Sequence, residues 1–140
     1  MAMKRKIVLL SHGLPTYNEE RAATEAILPG HLLEIVTATT CRKNTTTASD
    51  VARAFAVERS EIGRSIDDAY AVDDQVHEFV AQQGDHVLAL IPSGQTIVAG
   101  NYLGPDSAGH LVLASGVRIA RSLEDVNAVK ADTRLRVEII

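Results

Sequence analysis

Four aspartates stand close together at Asp67-Asp68 and Asp73-Asp74. Oxygen-rich loops bind divalent cations, and paired carboxylates can serve acid/base chemistry. The spacing fits no calcium-loop pattern, and no Gly stands at the interior position such a loop needs. A solvated turn closed by an Asx cap is the preferred reading. The histidines are His12, His31, His77, His86 and His110, and none forms HxH, HExxH or HxxxH. A zinc site can be drawn from His77, His86 and Asp85, but scattered exposed histidines are the preferred reading. Cys41 is the single cysteine, which excludes an internal disulfide and multi-cysteine metal sites. It has no catalytic flanking pattern, so an inert surface or half-buried thiol is expected. Neither Ser11-His12-Gly13 nor Ser93-Gly94 forms a nucleophile elbow, and no glycine-rich phosphate cradle occurs. No nucleophile–base pair emerges, so no catalytic, cofactor or metal residue is assigned and no enzyme is expected.

The elements that must position these residues read mainly as strands. Residues 1–20 carry Gly and Pro breakers without periodicity and are expected to form an extended N-terminal arm, with a short strand over 6–10. Glu19–Glu25 is rich in helix formers and predicts one or two helical turns. Ile27-Leu28-Pro29-Gly30 predicts a turn, and 31–37 a strand. Thr39–Asp50 reads as an exposed polar loop. Over 53–59 the alternation favours a strand, with a helix over 49–62 as the competitor. Strands are predicted at 75–81, 86–91, 96–99, 110–114, 117–121 and 134–140, separated by turns at Gly84, Gly94, Gly100, 104–109 and Ser115-Gly116. The last strand alternates most cleanly, with Leu135, Val137 and Ile139 on one face. Tyr70 is either an interface anchor or a core residue with its hydroxyl at the surface.

The chain has 140 residues, 46% of them hydrophobic, which suits one domain with its own core. Aromatics are 4% and the net charge is -4. Both argue against nucleic-acid binding, which needs clustered cations or stacking platforms. The apolar run Ile7–Leu10 is too short for a signal peptide, and no stretch reaches the length of a membrane span, so a soluble protein is expected. The expected architecture is a compact β-sandwich or barrel, jelly-roll-like or tulip-like, over residues 21–140.

Several segments in order carry a resemblance: Ile27–Glu34, Ala54–Glu58, Gly63–Tyr70, Gly84–Val87, Ser93–Gly100 and Asp106–Leu111. Together they resemble the small decoration, or cement, proteins of tailed-bacteriophage heads, over roughly residues 19–140. The chain departs from that pattern at Asp73-Asp74 and Gly100-Asn101, both of which keep turn chemistry. The resemblance implies a homotrimer on the outer surface of the virion capsid, made in the host bacterial cytoplasm, with the major capsid protein as partner and no catalysis. On that basis Lys4, Arg5, Lys6, Leu9, Leu10 and Tyr17 of the arm are the expected capsid contacts. Ile66, Asp67, Asp68, Tyr70, Gly84, Asp85, Gly94 and Gly100 are the expected trimer or structural motif. The alternative is a lipoyl- or biotinyl-type carrier module, suggested by Gly84-Asp85-x-Val and Val98-Ala99-Gly100. That module needs a lysine at a hairpin tip, and Pro92-Ser93-Gly94 has none.

Overall fold

Alternation of Val, Ile and Leu with polar residues gives the chain its strands, and the strands assemble as three sheets. The computed structural model describes residues 6–47, 51–127 and 130–140. Eleven strands run in chain order: β1 (Val8–Leu10), β2 (Ala22–Ala23), β3 (Leu33–Thr37), β4 (Thr40–Lys43), β5 (Ala54–Val57), β6 (His77–Val80), β7 (His86–Ile91), β8 (Tyr102–Pro105), β9 (Leu111–Leu113), β10 (Ala120–Ser122) and β11 (Thr133–Ile139). The largest sheet has the order β1-β7-β11-β10-β8-β9, antiparallel throughout. A second sheet is β2-β4-β3, and a third is the β5–β6 pair. The fold is mainly β, as expected. Among the described residues no helix is long and apolar enough to cross a membrane.

The β5–β6 ribbon is the middle layer. Side chains alternate across a strand. Phe55 and Val57 therefore join one core with Val87, Ala89, Leu135 and Val137 of the large sheet. Ala54 and Ala56 join a second core with Ala23, Leu33 and Cys41 of the three-stranded sheet. All four residues of β5 are buried, so its two-residue period separates two cores and not core from water.

Turns and cationic side chains tie the layers together. The Gly30 N–H donates to Ala56 O at 2.8 Å, and its carbonyl accepts from Leu90 N–H at 3.1 Å. Arg134 on β11 donates from Nε and Nη2 to Pro29 O, from Nη2 to Ile66 O and from Nη1 to Asp67 Oδ1. One guanidinium thus satisfies carbonyls of two turns that would otherwise lose their water on burial.

Four expectations change. The segment 19–25 is not helical, because its donors go to the turns that precede β4 and β6: Ala22 N–H to Thr39 O and Ala23 N–H to Asp74 O. The polar loop 39–50 contains β4, with Cys41 and Asn44 buried. It is organised by Glu34, whose carboxylate accepts from Thr45 N–H, Thr45 Oγ1, Thr46 Oγ1 and Arg42 Nε. Burial pushes the Glu34 carboxyl up, but these hydrogen bonds outweigh it and hold it at about 2. The strand expected over 96–99 is reduced to one bridge, Ile97 to Val126. The turn expected over 104–109 starts later, because Gly104 and Pro105 extend β8. Asp106 then closes the hairpin by accepting from Ala108 N–H and His110 N–H.

The described part of the expected arm, residues 6–20, carries β1, bends at 12–14 and is joined to the body. Ile7 is fully buried in the main core. Its carbonyl accepts from Leu88 N–H at 2.8 Å, and β1 pairs with β7.

Candidate functional site

The residues expected at the capsid contact fall into two groups. Lys4 and Arg5 lie outside the described residues. Lys6 is exposed, and so are Leu9 and Leu10, on a strand that closes one edge of the large sheet. The register of β1 against β7 shifts between Val8 and Leu10. An irregularity of this kind disrupts the ladder to β7 locally and bends the strand. Leu9 and Leu10 put apolar side chains in the open along this edge. Leu14 follows at 91% exposure. Tyr17 sits elsewhere: its ring stacks on His77, with centroids 6.1 Å apart, and meets the edge of Phe79.

The residues expected in the trimer or structural motif all have roles within the chain. Ile66 is in the main core. Tyr70 is in the second core, and its hydroxyl is buried as well, donating to Val57 O and accepting from His77 N–H. Burial pushes the Tyr70 phenol up to about 12. Asp67 meets Arg134, and Asp68 accepts from Ser65 N–H. Gly84 has φ +92, and a Cβ there would stand 3.0 Å from the His12 ring. Asp85 is buried, with Oδ1 accepting from His12 N–H and contacting His12 Nδ1, and Oδ2 accepting from Gln82 N–H. Gly94 and Gly100 occupy exposed turns.

The aspartate cluster is used in turns, as preferred. Asp74 Oδ2 caps Ala71 N–H, as Asp68 caps Ser65. The drawn zinc set of His77, His86 and Asp85 does not come together. His86 faces Glu138 at 3.3 Å, and Asp85 is held by His12. Cys41 is fully buried, and burial pushes its thiol up to about 11, with Glu78 adding and Arg21 opposing. A thiol so placed is inert.

The histidines are less scattered than their sequence positions suggest. His12 meets Asp85, and His86 meets Glu138. His110 bridges Asp106 at 3.1 Å and Asp132 at 2.8 Å. The Asp106 hydrogen bond is the main reason His110 is raised above its ordinary value, against the opposing effect of burial. His31 stands edge-on to His110 at 5.4 Å, and its Nδ1 accepts from Leu28 N–H. Burial, helped by the neighbouring cations, drops His31 to about 4.

His77 differs from the rest in presenting one ring nitrogen to two carboxylates. It is buried on β6, as His31 is in its turn, and its Nε2 lies 3.1 Å from both Glu19 Oε1 and Glu61 Oε1. Glu61 belongs to a one-turn 3-10 helix, Ser60–Ile62, and its Oε1 also meets Arg59 Nε at 3.3 Å. Glu19 and Glu61 carried no signal in sequence, because 42 and 16 positions separate Glu61 from its two partners. Among the described residues these are the His, Cys and carboxylate side chains whose ligand atoms all lie within 4.8 Å of one another. No family model and no curated protein matches this chain.

Proposed function

We propose that this chain is a structural virion protein that binds the outer surface of an assembled tailed-phage head as a homotrimer and stabilises it, without catalysis. The ordered turn segments from Ile27 to Leu111 support the reading through their resemblance to head decoration proteins. The observation that carries it is the apolar edge of the large sheet, where Leu9 is 40% and Leu10 52% exposed. Apolar side chains grouped at a sheet edge suit docking onto another chain.

A protein that binds the assembled lattice and not its loose subunits stabilises the lattice by mass action. Three linked copies let modest contacts act together, so no single interface has to be large. The acidic balance suits a surface facing away from packaged nucleic acid.

The experiment is calorimetry of undecorated mature heads assembled from a tailed-phage major capsid protein. Added protein should raise the temperature of head disruption and saturate at a fixed stoichiometry. The double variant Leu9→Asp/Leu10→Asp should fold and yet stabilise the heads far less. Heads whose disruption temperature does not respond to the wild-type chain would contradict the proposal.

A further inference from the structure

The geometry points to a divalent transition-metal site, of the zinc class, formed by His77 Nε2, Glu19 and Glu61. His77 is the observation that takes this group beyond a cluster of surface carboxylates. Its side chain is 5% exposed, and Nε2 is buried without a hydrogen-bond partner. Both carboxylate oxygens lie within 3.1 Å, yet neither is aligned to accept from an Nε2–H. Buried polar atoms are almost always satisfied, so an orphan aimed at two carboxylates calls for a partner.

A metal ion supplies one. Zinc sits about 2.0–2.2 Å from imidazole nitrogen and carboxylate oxygen, so its ligands lie roughly 3–3.5 Å from each other. The two His77–carboxylate separations fall in that range, and the two carboxylate oxygens lie within 4.8 Å of each other. One imidazole with two carboxylates favours zinc and its first-row neighbours over calcium and magnesium, which prefer all-oxygen shells. Glu19 and Glu61 are about half exposed, which leaves room for water at a fourth position.

The surroundings fix the imidazole. Tyr17 stacks on the ring at an interplanar angle of 26°, and the His77 backbone N–H donates to Tyr70 Oη. Arg59 is the competing cation: it shares Glu61 Oε1 and also donates from Nη1 to Gln75 O. A bound ion would fasten three stretches of chain: the segment after β1, the 3-10 turn and β6. The inference is independent of the capsid reading, since it concerns only intrachain ligands.

The test uses the full-length chain stripped by a chelator and titrated with zinc chloride, followed calorimetrically and by thermal unfolding. Cobalt(II) chloride serves as the spectroscopic probe. The expected result is one ion per chain, a rise in Tm with zinc, and a visible cobalt spectrum. Glu61→Gln and Glu19→Gln keep side-chain size, and their metal-free Tm should stay near wild type. Each should weaken zinc binding by at least about a hundredfold. Asp132→Asn, at the His110 cluster, should leave zinc affinity unchanged. Binding weaker than millimolar, several weak sites indifferent to both Gln variants, or loss of binding in Asp132→Asn would each overturn the inference.

Discussion

Asp85 holds the segment after β1 against the turn that opens β7, so its removal has a calculable cost. Asp85→Ala deletes acceptors for Gln82 N–H at 2.8 Å and His12 N–H at 3.0 Å, and the contact to His12 Nδ1 at 2.7 Å. Hydrogen bonds to a buried charged acceptor each contribute about 1.5–3 kcal/mol. The His12 side chain is 62% exposed, so its ring contact adds less than about 1 kcal/mol. Allowing for partial rehydration of the two backbone donors, the loss is about 2–4 kcal/mol. For a chain of this length that lowers Tm by roughly 6–16 °C. His12→Ala keeps both backbone donors paired and should cost about 1 kcal/mol or less.

The same contact predicts a pH dependence. Burial alone would raise the Asp85 carboxyl. The Gln82 N–H and the His12 ring and N–H outweigh burial and hold it below its ordinary value. A carboxylate depressed in the folded state contributes stability above its unfolded pKa, about 3.9, and loses it as pH falls through the folded value. The Tm gap between wild type and Asp85→Ala should therefore be flat from about pH 5 to 7 and narrow below about pH 4. Circular-dichroism melting across that range is the assay, with amide exchange at His12 as a local readout. A Tm drop under about 3 °C, or an equal drop in His12→Ala, would refute the reasoning.

Two further outcomes follow from close packing and burial. A Cβ at Gly104 would stand 2.2 Å from Val117 O, whereas one at Gly116 meets nothing. Gly104→Ala should therefore cost at least about 2 kcal/mol in urea unfolding and Gly116→Ala under about 0.5; similar costs would remove the close approach from the account. His31 is neutral in the fold because burial drops it to about 4, so its contribution is full above about pH 6.5 and fades as pH falls toward 4. His110 acts in the opposite sense: its raised value gives stability below about pH 6.5 that fades as pH rises through the folded value. His31→Asn, whose amide oxygen can accept the Leu28 N–H, should flatten the stability profile between pH 4 and 6.5. A profile parallel to wild type would contradict this.

How much could be read from the chain varied with what the residues had to do. Strands β7 and β11 were legible because each is set by its own side chains: a short apolar run in one, strict alternation in the other. Strand β5 was legible as a strand but not as a middle layer, since a period of two cannot distinguish water from a second core. The helix formers of 19–25 misled, because β2 is specified by backbone partners from Thr39 and Asp74 and not by its own propensity. Strand β4 was hidden in a run of Thr, Cys, Arg and Lys, whose order depends on one distant carboxylate, Glu34. Two of the histidine–carboxylate pairs escaped notice for the same reason. His12 meets Asp85 across 73 positions, and His86 meets Glu138 across 52.

The burial of Ile7 limits how the capsid contact can be probed. Deleting residues 1–18 would strip a fully buried side chain from the main core, so lost binding would report unfolding as readily as a lost contact. Substitution at Leu9 and Leu10 avoids that ambiguity. The most direct measurement is co-sedimentation of the full-length chain with assembled mature heads and, separately, with unassembled capsid subunits. Saturable binding to heads, in multiples of three chains per site, is expected, and none to the subunits. Absence from the head pellet, or equal affinity for loose subunits, would contradict it.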